Sequence, residues 1–188
     1  MNNLPNRLTV FRMLLVPLIM VFLLTDVFSG KSILTVGVSN ILAAGIFAAA
    51  SLTDWFDGRI ARKRHMVTNF GKVMDPLADK LLVVAVILCF VARGIFPVWC
   101  AMIVLARDFL VTGMRVVAVA EGLTVAANIW GKVKTAIQMV GMILLILFGT
   151  SDIVWQSVTA QLSVYLTTAA TLMSGIRYCF DYRAILKK

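Results

Sequence analysis

Hydrophobic residues fill six long stretches of the chain, and short segments with polar residues or glycine separate them. A helix needs about 20 predominantly apolar residues to cross a membrane. The pattern therefore predicts six transmembrane helices, near residues 8–28, 35–62, 70–92, 96–120, 130–150 and 153–180. Glycines at 30, 94 and 122 are typical of the loops between such helices.

The segment before the first apolar stretch has its own signals. Asn3 and Pro5 are typical of a helix cap and a first helical turn. An amphipathic lead-in that lies on the membrane fits this segment. The alternative is a signal peptide, with Val27, Phe28 and Ser29 at its cleavage site.

Composition supports a single membrane-embedded domain over residues 1–188. Hydrophobic residues make up 61% of the chain and charged residues 14%, whereas soluble domains carry roughly a quarter charged residues. The chain has no internal repeat and no separate soluble segment. Its three cysteines, Cys89, Cys100 and Cys179, lie far apart in apolar stretches, which favours small buried side chains over a disulfide or a metal site.

Basic residues give the chain a net charge of +9, but they form no module typical of nucleic-acid binding. If six helices cross the membrane, one side carries two basic residues, Lys31 and Arg93. The other side carries Arg7, Arg12, Arg59, Arg62, Lys63, Arg64, Lys72, Lys132, Lys134, Arg183, Lys187 and Lys188. The positive-inside rule places this second side, and both termini, in the cytoplasm.

Four of the nine acidic residues lie in one short stretch, at positions 54, 57, 75 and 79. Residues three or four apart share a face of a helix, so Asp54 and Asp57 form one acidic stripe, and Asp75 and Asp79 form another. If the two stripes face each other, their carboxylates surround a small volume. Oxygen ligands of this kind favour Mg²⁺ or Mn²⁺.

Two other interpretations of this stretch remain open. The aspartates could form ion pairs with the basic residues around them, which are Arg59, Arg62, Lys72 and Lys80. The small residues Gly58, Ala61 and Gly71 are also common where membrane helices pack closely. Next to carboxylates and Arg62, they equally suit a groove for a ligand.

The whole motif runs Asp54-x-x-Asp57-Gly58-x-x-Ala61-Arg62, then eight residues, then Gly71-x-x-x-Asp75-x-x-x-Asp79. It resembles, at all nine fixed positions, the signature of the CDP-alcohol phosphatidyltransferases. Further segments are similar to the bacterial branch that makes phosphatidylglycerophosphate. These are Pro5-Asn6-x-x-Thr9-x-x-Arg12, Asp75-Pro76-Leu77-Ala78-Asp79-Lys80, Ala106-Arg107 and Gly131-Lys132-x-Lys134-Thr135. That branch usually has glutamate where this chain has Asp108.

The resemblance implies a six-helix bundle, generally a homodimer, that exchanges CMP for an alcohol on a lipid phosphate. It implies that Asp54, Asp57, Asp75 and Asp79 bind two Mg²⁺ or Mn²⁺ ions, and that Asp79 is also the general base. The residues that match the CDP-lipid site are Asp54, Gly58, Ala61, Arg62 and Gly71. The implied substrates are CDP-diacylglycerol and glycerol 3-phosphate.

An acceptor that carries a phosphate needs a second, cationic pocket. The candidates are Arg107, Arg115, Lys132, Lys134 and Arg177, since arginine binds phosphate bidentately. Asn6, Thr9 and Arg12 are further candidates for the site. Each basic residue has a simpler interpretation, in which it reaches the lipid headgroups from the end of a helix.

Two alternatives concern the function itself. The same chemistry could use another acceptor, such as inositol phosphate or serine, although a neutral acceptor has less use for the cationic residues. Intramembrane carboxylates could also mark a divalent-cation transporter. The third helix continues beyond Asp79 as an apolar run, Leu81 to Leu88, without a metal ligand, which argues against an ion path.

Overall fold

The structure is a computed structural model that describes residues 4–25, 32–33, 36–63, 69–120 and 129–186. Some side chains within these ranges fall outside the description, namely those of residues 4–9, 32–33, 54–63, 69–76, 79, 119–120 and 181–186.

Six α-helices make up almost all of the described chain. They are α1 (Leu4–Leu24), α2 (Val38–Lys63), α3 (Asn69–Ala92), α4 (Val98–Ala120), α5 (Ile129–Phe148) and α6 (Val154–Leu186). Each coincides with one of the six predicted stretches, with boundaries that differ by a few residues. The prediction of an all-α fold with six helices is therefore confirmed.

Between α1 and α2 the structure adds a feature that the apolar pattern did not predict. Two short strands, β1 (Ser32–Ile33) and β2 (Val36–Gly37), pair antiparallel, with Ser32 opposite Gly37 and Ile33 opposite Val36. Two-residue strands carry too little periodicity to be recognised from sequence.

The helix contacts form a closed ring. Going round the bundle, α1 contacts α3, followed by α4, α6, α5, α2 and α1 again. Within this ring α2 and α3 also contact each other, and α3 contacts α5. The ring brings the helix pair that carries the aspartates next to the three helices that carry the acceptor-site candidates.

An apolar core fills the half of the bundle where α1 ends and α2 begins. Phe47, Phe90 and Ile146 have no exposed surface there. Gly94 turns the chain from α3 into α4 with a φ of 70°, a conformation that glycine adopts without a steric penalty. A hydrogen bond of 2.6 Å from Asn40 to the Thr150 hydroxyl ties the first turn of α2 to the connection between α5 and α6 at this end.

Among the described residues, Ile129–Phe148 is the one helix that is long and apolar enough to cross a membrane by length and composition, and Val10–Leu24, Val38–Thr53 and Lys80–Ala92 are shorter apolar segments. Helix α4 carries Arg107, Asp108 and Arg115 within its apolar sequence. The prediction that all six helices cross a membrane stays a prediction.

Candidate functional site

The four aspartates lie on the two helices predicted for them. Asp54 and Asp57 are in the last third of α2, and Asp75 and Asp79 are in the first half of α3. Their side chains lie outside the described residues, so the metal set and the role of Asp79 as general base stay predictions. Among the side chains that the structure does describe, no three His, Cys, Asp or Glu residues come together as a metal site.

The roles of the other residues of the motif also stay predictions. Gly58, Ala61 and Arg62 belong to α2, and Gly71 belongs to α3, but their surroundings are outside the described part of the chain. The predicted CDP-lipid groove is therefore neither confirmed nor contradicted.

The N-terminal candidates all lie on α1. The side chains of Asn6 and Thr9 fall outside the described residues, whereas Arg12 is buried, with 4% of its surface exposed. Arg12 lines a cavity of about 50 Å³ between α1 and α2 that also includes Thr53, the residue before Asp54. Arg12 therefore lines the same cavity as the residue that precedes the aspartate motif.

Two of the five acceptor-site candidates meet at one carboxylate. Arg107 Nη1 donates to Asp108 Oδ1 at 3.0 Å, and Lys134 Nζ donates to the same oxygen at 2.5 Å. Lys134 is buried, with 4% of its side chain exposed. Two positive charges on α4 and α5 thus share one negative charge, and the trio keeps a net positive charge.

Helix α6 supplies the other side of this cluster. Arg107 Nη2 donates to the Ser174 hydroxyl at 2.6 Å. A Cβ on Gly175 would lie 2.9 Å from Arg107 Cγ, which is too close for two carbon atoms. The arginine stem therefore packs directly on the α6 backbone, and only glycine at position 175 leaves room for it.

Lys80 connects the cluster to the aspartate-bearing helix α3. Its Nζ donates to the backbone carbonyl of Asp108 at 2.7 Å and also contacts the Thr112 hydroxyl. Since Lys80 directly follows Asp79 in the chain, the cationic cluster lies within one side chain's reach of the α3 turn that holds Asp79. On the neighbouring helix pair, the Ser51 hydroxyl, one turn before Asp54, contacts Met139 Sδ of α5 at 3.6 Å.

The remaining three candidates are exposed, and two of them lie over aromatic rings. Arg115 is exposed and lies over the Tyr178 ring at 5.9 Å, and Arg177 is exposed over the Trp130 ring at 5.3 Å. Lys132 is exposed on α5. Cation–π contacts of this kind are typical of basic residues at the surface. The assignment of Arg115, Lys132 and Arg177 to the acceptor site stays a prediction.

Sequence reasoning did not predict the contacts of Asp108, Ser174 and Gly175. One signal was present for Asp108, because an acidic residue inside an apolar helix needs a partner. Arg107 beside it was the obvious one, whereas Lys134 lies 26 residues away on another helix. Serine and glycine in a membrane-type helix gave no signal beyond ordinary close packing.

Comparisons with known proteins agree with the sequence motif. The CDP-alcohol phosphatidyltransferase family profile matches residues 2–173. A CDP-diacylglycerol–glycerol-3-phosphate 3-phosphatidyltransferase of Bacillus subtilis (strain 168) is 39% identical over 183 residues, 95% of this chain and 94% of the relative. The protein of the same name from Rickettsia felis is 35% identical, over 94% of this chain and 93% of its own length.

A third relative carries a different name. The probable phosphatidylglycerophosphate synthase of Mycobacterium tuberculosis is 34% identical, over 94% of this chain and 79% of its own length. A family profile that covers nearly the whole chain and relatives that align along almost all of it lead to one conclusion. This chain belongs to the CDP-alcohol phosphatidyltransferase family.

Proposed function

We propose that this protein transfers the phosphatidyl group of CDP-diacylglycerol to glycerol 3-phosphate, giving phosphatidylglycerophosphate and CMP. The observation that carries the proposal is the cluster of Arg107, Asp108 and Lys134, joined through Lys80 to the helix of Asp79. Two cations joined to the helix that carries Asp75 and Asp79 suit an acceptor that brings its own phosphate. The names of the relatives support the same activity.

The membrane arrangement follows from composition and charge. We expect all six helices to cross the bacterial cytoplasmic membrane, with both termini and the site on the cytoplasmic side. The diacyl tails would stay in the bilayer, while glycerol 3-phosphate arrives from the cytoplasm. The charges of α4 agree with this arrangement, because intramembrane charges lie inside a bundle and pair with one another, as Arg107 and Asp108 do.

Divalent ions fit the acidic motif. Its four carboxylates are hard oxygen ligands without a thiolate or imidazole among them, which suits Mg²⁺ or Mn²⁺. We expect Asp54, Asp57, Asp75 and Asp79 to hold two such ions. Bound there, the ions would neutralise charge on the pyrophosphate as its bond to CMP breaks.

Residues of the chain would bind the two substrates and accept the proton. The small residues of the motif, with Arg62, would hold the CDP portion of the lipid. Arg107 and Lys134 would bind the phosphate of glycerol 3-phosphate and so orient its primary hydroxyl. A carboxylate oxygen of Asp79 would accept the hydroxyl proton while the hydroxyl oxygen attacks the phosphatidyl phosphorus and CMP leaves. We expect the enzyme to work as a homodimer.

An acceptor panel tests the proposal. Purified protein is supplied with CDP-diacylglycerol, Mg²⁺ or Mn²⁺, and radiolabelled glycerol 3-phosphate, inositol phosphate or serine. We expect label in the lipid and CMP release with glycerol 3-phosphate, and neither product in the presence of a chelator. Label entering the lipid from serine or inositol phosphate alone would contradict the assigned acceptor.

The matched variant is Asp79→Asn, which preserves shape and removes the proton acceptor. It should abolish turnover and leave binding of the CDP-lipid largely intact. A near-normal rate would show that Asp79 is not the base. Divalent-ion flux into protein-containing liposomes without CMP release would favour a transporter instead.

A further inference from the structure

We propose that Asp108 is the positioning residue of the acceptor site, and that its carboxylate holds Arg107 and Lys134 side by side so that both bind one phosphate. The inference rests on the proposed function, since it assigns these two cations to the acceptor's phosphate. It concerns a residue that makes no contact with substrate itself.

The first argument is charge. Oδ1 of Asp108 lies 3.0 Å from Arg107 Nη1 and 2.5 Å from Lys134 Nζ. The two cationic nitrogens are therefore no farther apart than these two distances together. Like charges at such a separation repel, more strongly where water is scarce. The shared carboxylate offsets this repulsion and keeps the guanidinium and the ammonium at one place.

The second argument is geometry, because Asp108 and its neighbour Arg107 together connect four helices. Its carboxylate reaches Lys134 on α5, and its backbone carbonyl accepts a hydrogen bond of 2.7 Å from Lys80 on α3. Arg107, its neighbour on α4, is held by Ser174 on α6. Removing the carboxylate would leave Lys134 buried without this counter-charge, which is costly.

The third argument is a buried donor of Arg107, its Nε. A guanidinium has five N–H donors, of which Asp108 and Ser174 each accept one. Arg107 Nε is buried, and among the described residues it has no hydrogen-bond partner. A buried donor without a partner costs free energy, and a phosphate oxygen would satisfy it. The cluster thus has the chemistry of an anion site that is assembled before its ligand arrives.

The test compares variants of the purified full-length protein. Asp108→Asn preserves shape and removes the charge, and Asp108→Glu preserves the charge. Asp152→Asn is the matched control, because Asp152 is an exposed acidic residue in the connection before α6. Each is assayed for KM of glycerol 3-phosphate, KM of CDP-diacylglycerol, and kcat.

We expect Asp108→Asn to raise KM for glycerol 3-phosphate by about tenfold or more, because a neutral amide oxygen holds the two cations less firmly than a carboxylate does. Its kcat and its KM for CDP-diacylglycerol should change much less. Asp108→Glu should recover most of the loss, and Asp152→Asn should match the unmodified protein. A lower or unchanged KM for glycerol 3-phosphate in Asp108→Asn would overturn the proposal, since it would mean that the carboxylate only competes with the phosphate.

A double variant covers the case in which Asp108→Asn does not fold. Lys134→Met alone removes one cation, and combined with Asp108→Asn it removes both partners of this ion pair. If Asp108 acts by pairing the two cations, the double variant should raise KM for glycerol 3-phosphate over that of Lys134→Met by less than the roughly tenfold effect of Asp108→Asn, because only Arg107 still depends on the carboxylate. A further increase of about tenfold or more would contradict the pairing of the two cations by Asp108.

Failure of the proposed function is distinguishable from failure of this inference. If the unmodified protein transfers nothing to glycerol 3-phosphate, the function is wrong. Calorimetric titration of the same variants with inorganic phosphate then decides the role of Asp108. Weaker phosphate binding by Asp108→Asn, with recovery by Asp108→Glu, would support it, and equal binding by all variants would contradict it.

Discussion

The two halves of the bundle satisfy their side chains in different ways. In the apolar half, Phe47, Phe90 and Ile146 are completely buried among other hydrophobic residues. In the other half, Arg107 and Lys134 are buried or nearly so, and each depends on Asp108. The first half is a packed apolar core, whereas the second places two cations around a shared carboxylate.

Hydrogen bonding separates the two halves further. At the apolar end, Asn40 donates to Thr150, and Ser151 contacts Gln156. In the cationic cluster, Arg107 Nε is buried without a partner in the described part of the structure, as are Gln138 Nε2, Thr167 Oγ1 and Tyr178 Oη elsewhere. An unsatisfied buried group costs stability. Of these atoms, the N–H of Arg107 is the one on a cation, so an anionic ligand would suit it.

The largest effect should come from the acidic motif. Asp75→Asn removes a predicted metal ligand while preserving size, so we expect transfer to fall by about a thousandfold or more, since metal ions contribute several kcal/mol to such reactions. The measurement is CMP release over a range of Mg²⁺ and Mn²⁺ concentrations. An unchanged thermal melting point would show that the loss is chemical. Activity close to that of the unmodified enzyme would remove Asp75 from the metal site.

The apolar half should show the opposite behaviour. Phe90 has no exposed surface, and Phe90→Ala should destabilise the fold by about 3 to 5 kcal/mol through lost contacts and a cavity. KM for glycerol 3-phosphate should stay unchanged in the fraction that remains folded. Thermal unfolding in detergent, followed by kinetics below the transition, measures both. A changed KM with unchanged stability would contradict the division into two halves.

The sequence predicted the apolar half better than the cationic one. Six apolar stretches predicted six helices because each helix has apolar residues along its whole length, facing the core or lipid. A stretch of about 20 such residues is long enough to be recognised from the sequence. Arg107 was recognisable as a site candidate because charged residues deep in an apolar helix are rare and typically functional. The aspartate stripes followed from the period of the helix, although their facing arrangement stays a prediction.

The remainder of the cluster depends on tertiary contacts. Nothing near Lys134 in sequence indicates Asp108, and nothing near Gly175 indicates Arg107, because these pairs meet only when α4 packs on α5 and α6. The same packing leaves Arg115 and Arg177 over aromatic rings at the surface. Five basic residues that look equivalent in sequence thus lie in different environments.

A substitution at Gly175 tests whether the packing of Arg107 on α6 matters for the acceptor. In Gly175→Ala the new Cβ would lie 2.9 Å from Arg107 Cγ, so the arginine must shift. We expect KM for glycerol 3-phosphate to rise about tenfold, because a misplaced guanidinium loses charged hydrogen bonds. Stability should change little, since alanine favours the helix by about 1 kcal/mol.

Gly113→Ala on α4 is the matched control, because a Cβ there meets nothing within 4 Å. It should leave KM for glycerol 3-phosphate unchanged. Equal KM values for the two alanine variants would show that the packing of Arg107 on α6 does not matter for the acceptor.

The smallest effect should come from Ser174, which accepts a hydrogen bond of 2.6 Å from Arg107 Nη2. Ser174→Ala leaves Asp108 as a partner of the guanidinium, so KM for glycerol 3-phosphate should rise only about fivefold, the equivalent of roughly 1 kcal/mol. Ser163→Ala is the control on the same helix, because the Ser163 hydroxyl donates to the Ala160 carbonyl of α6 itself. Both serines are buried, so a loss in both variants would reflect the packing of α6. A loss confined to Ser174→Ala would mean that α6 contributes to the acceptor site through the orientation of Arg107.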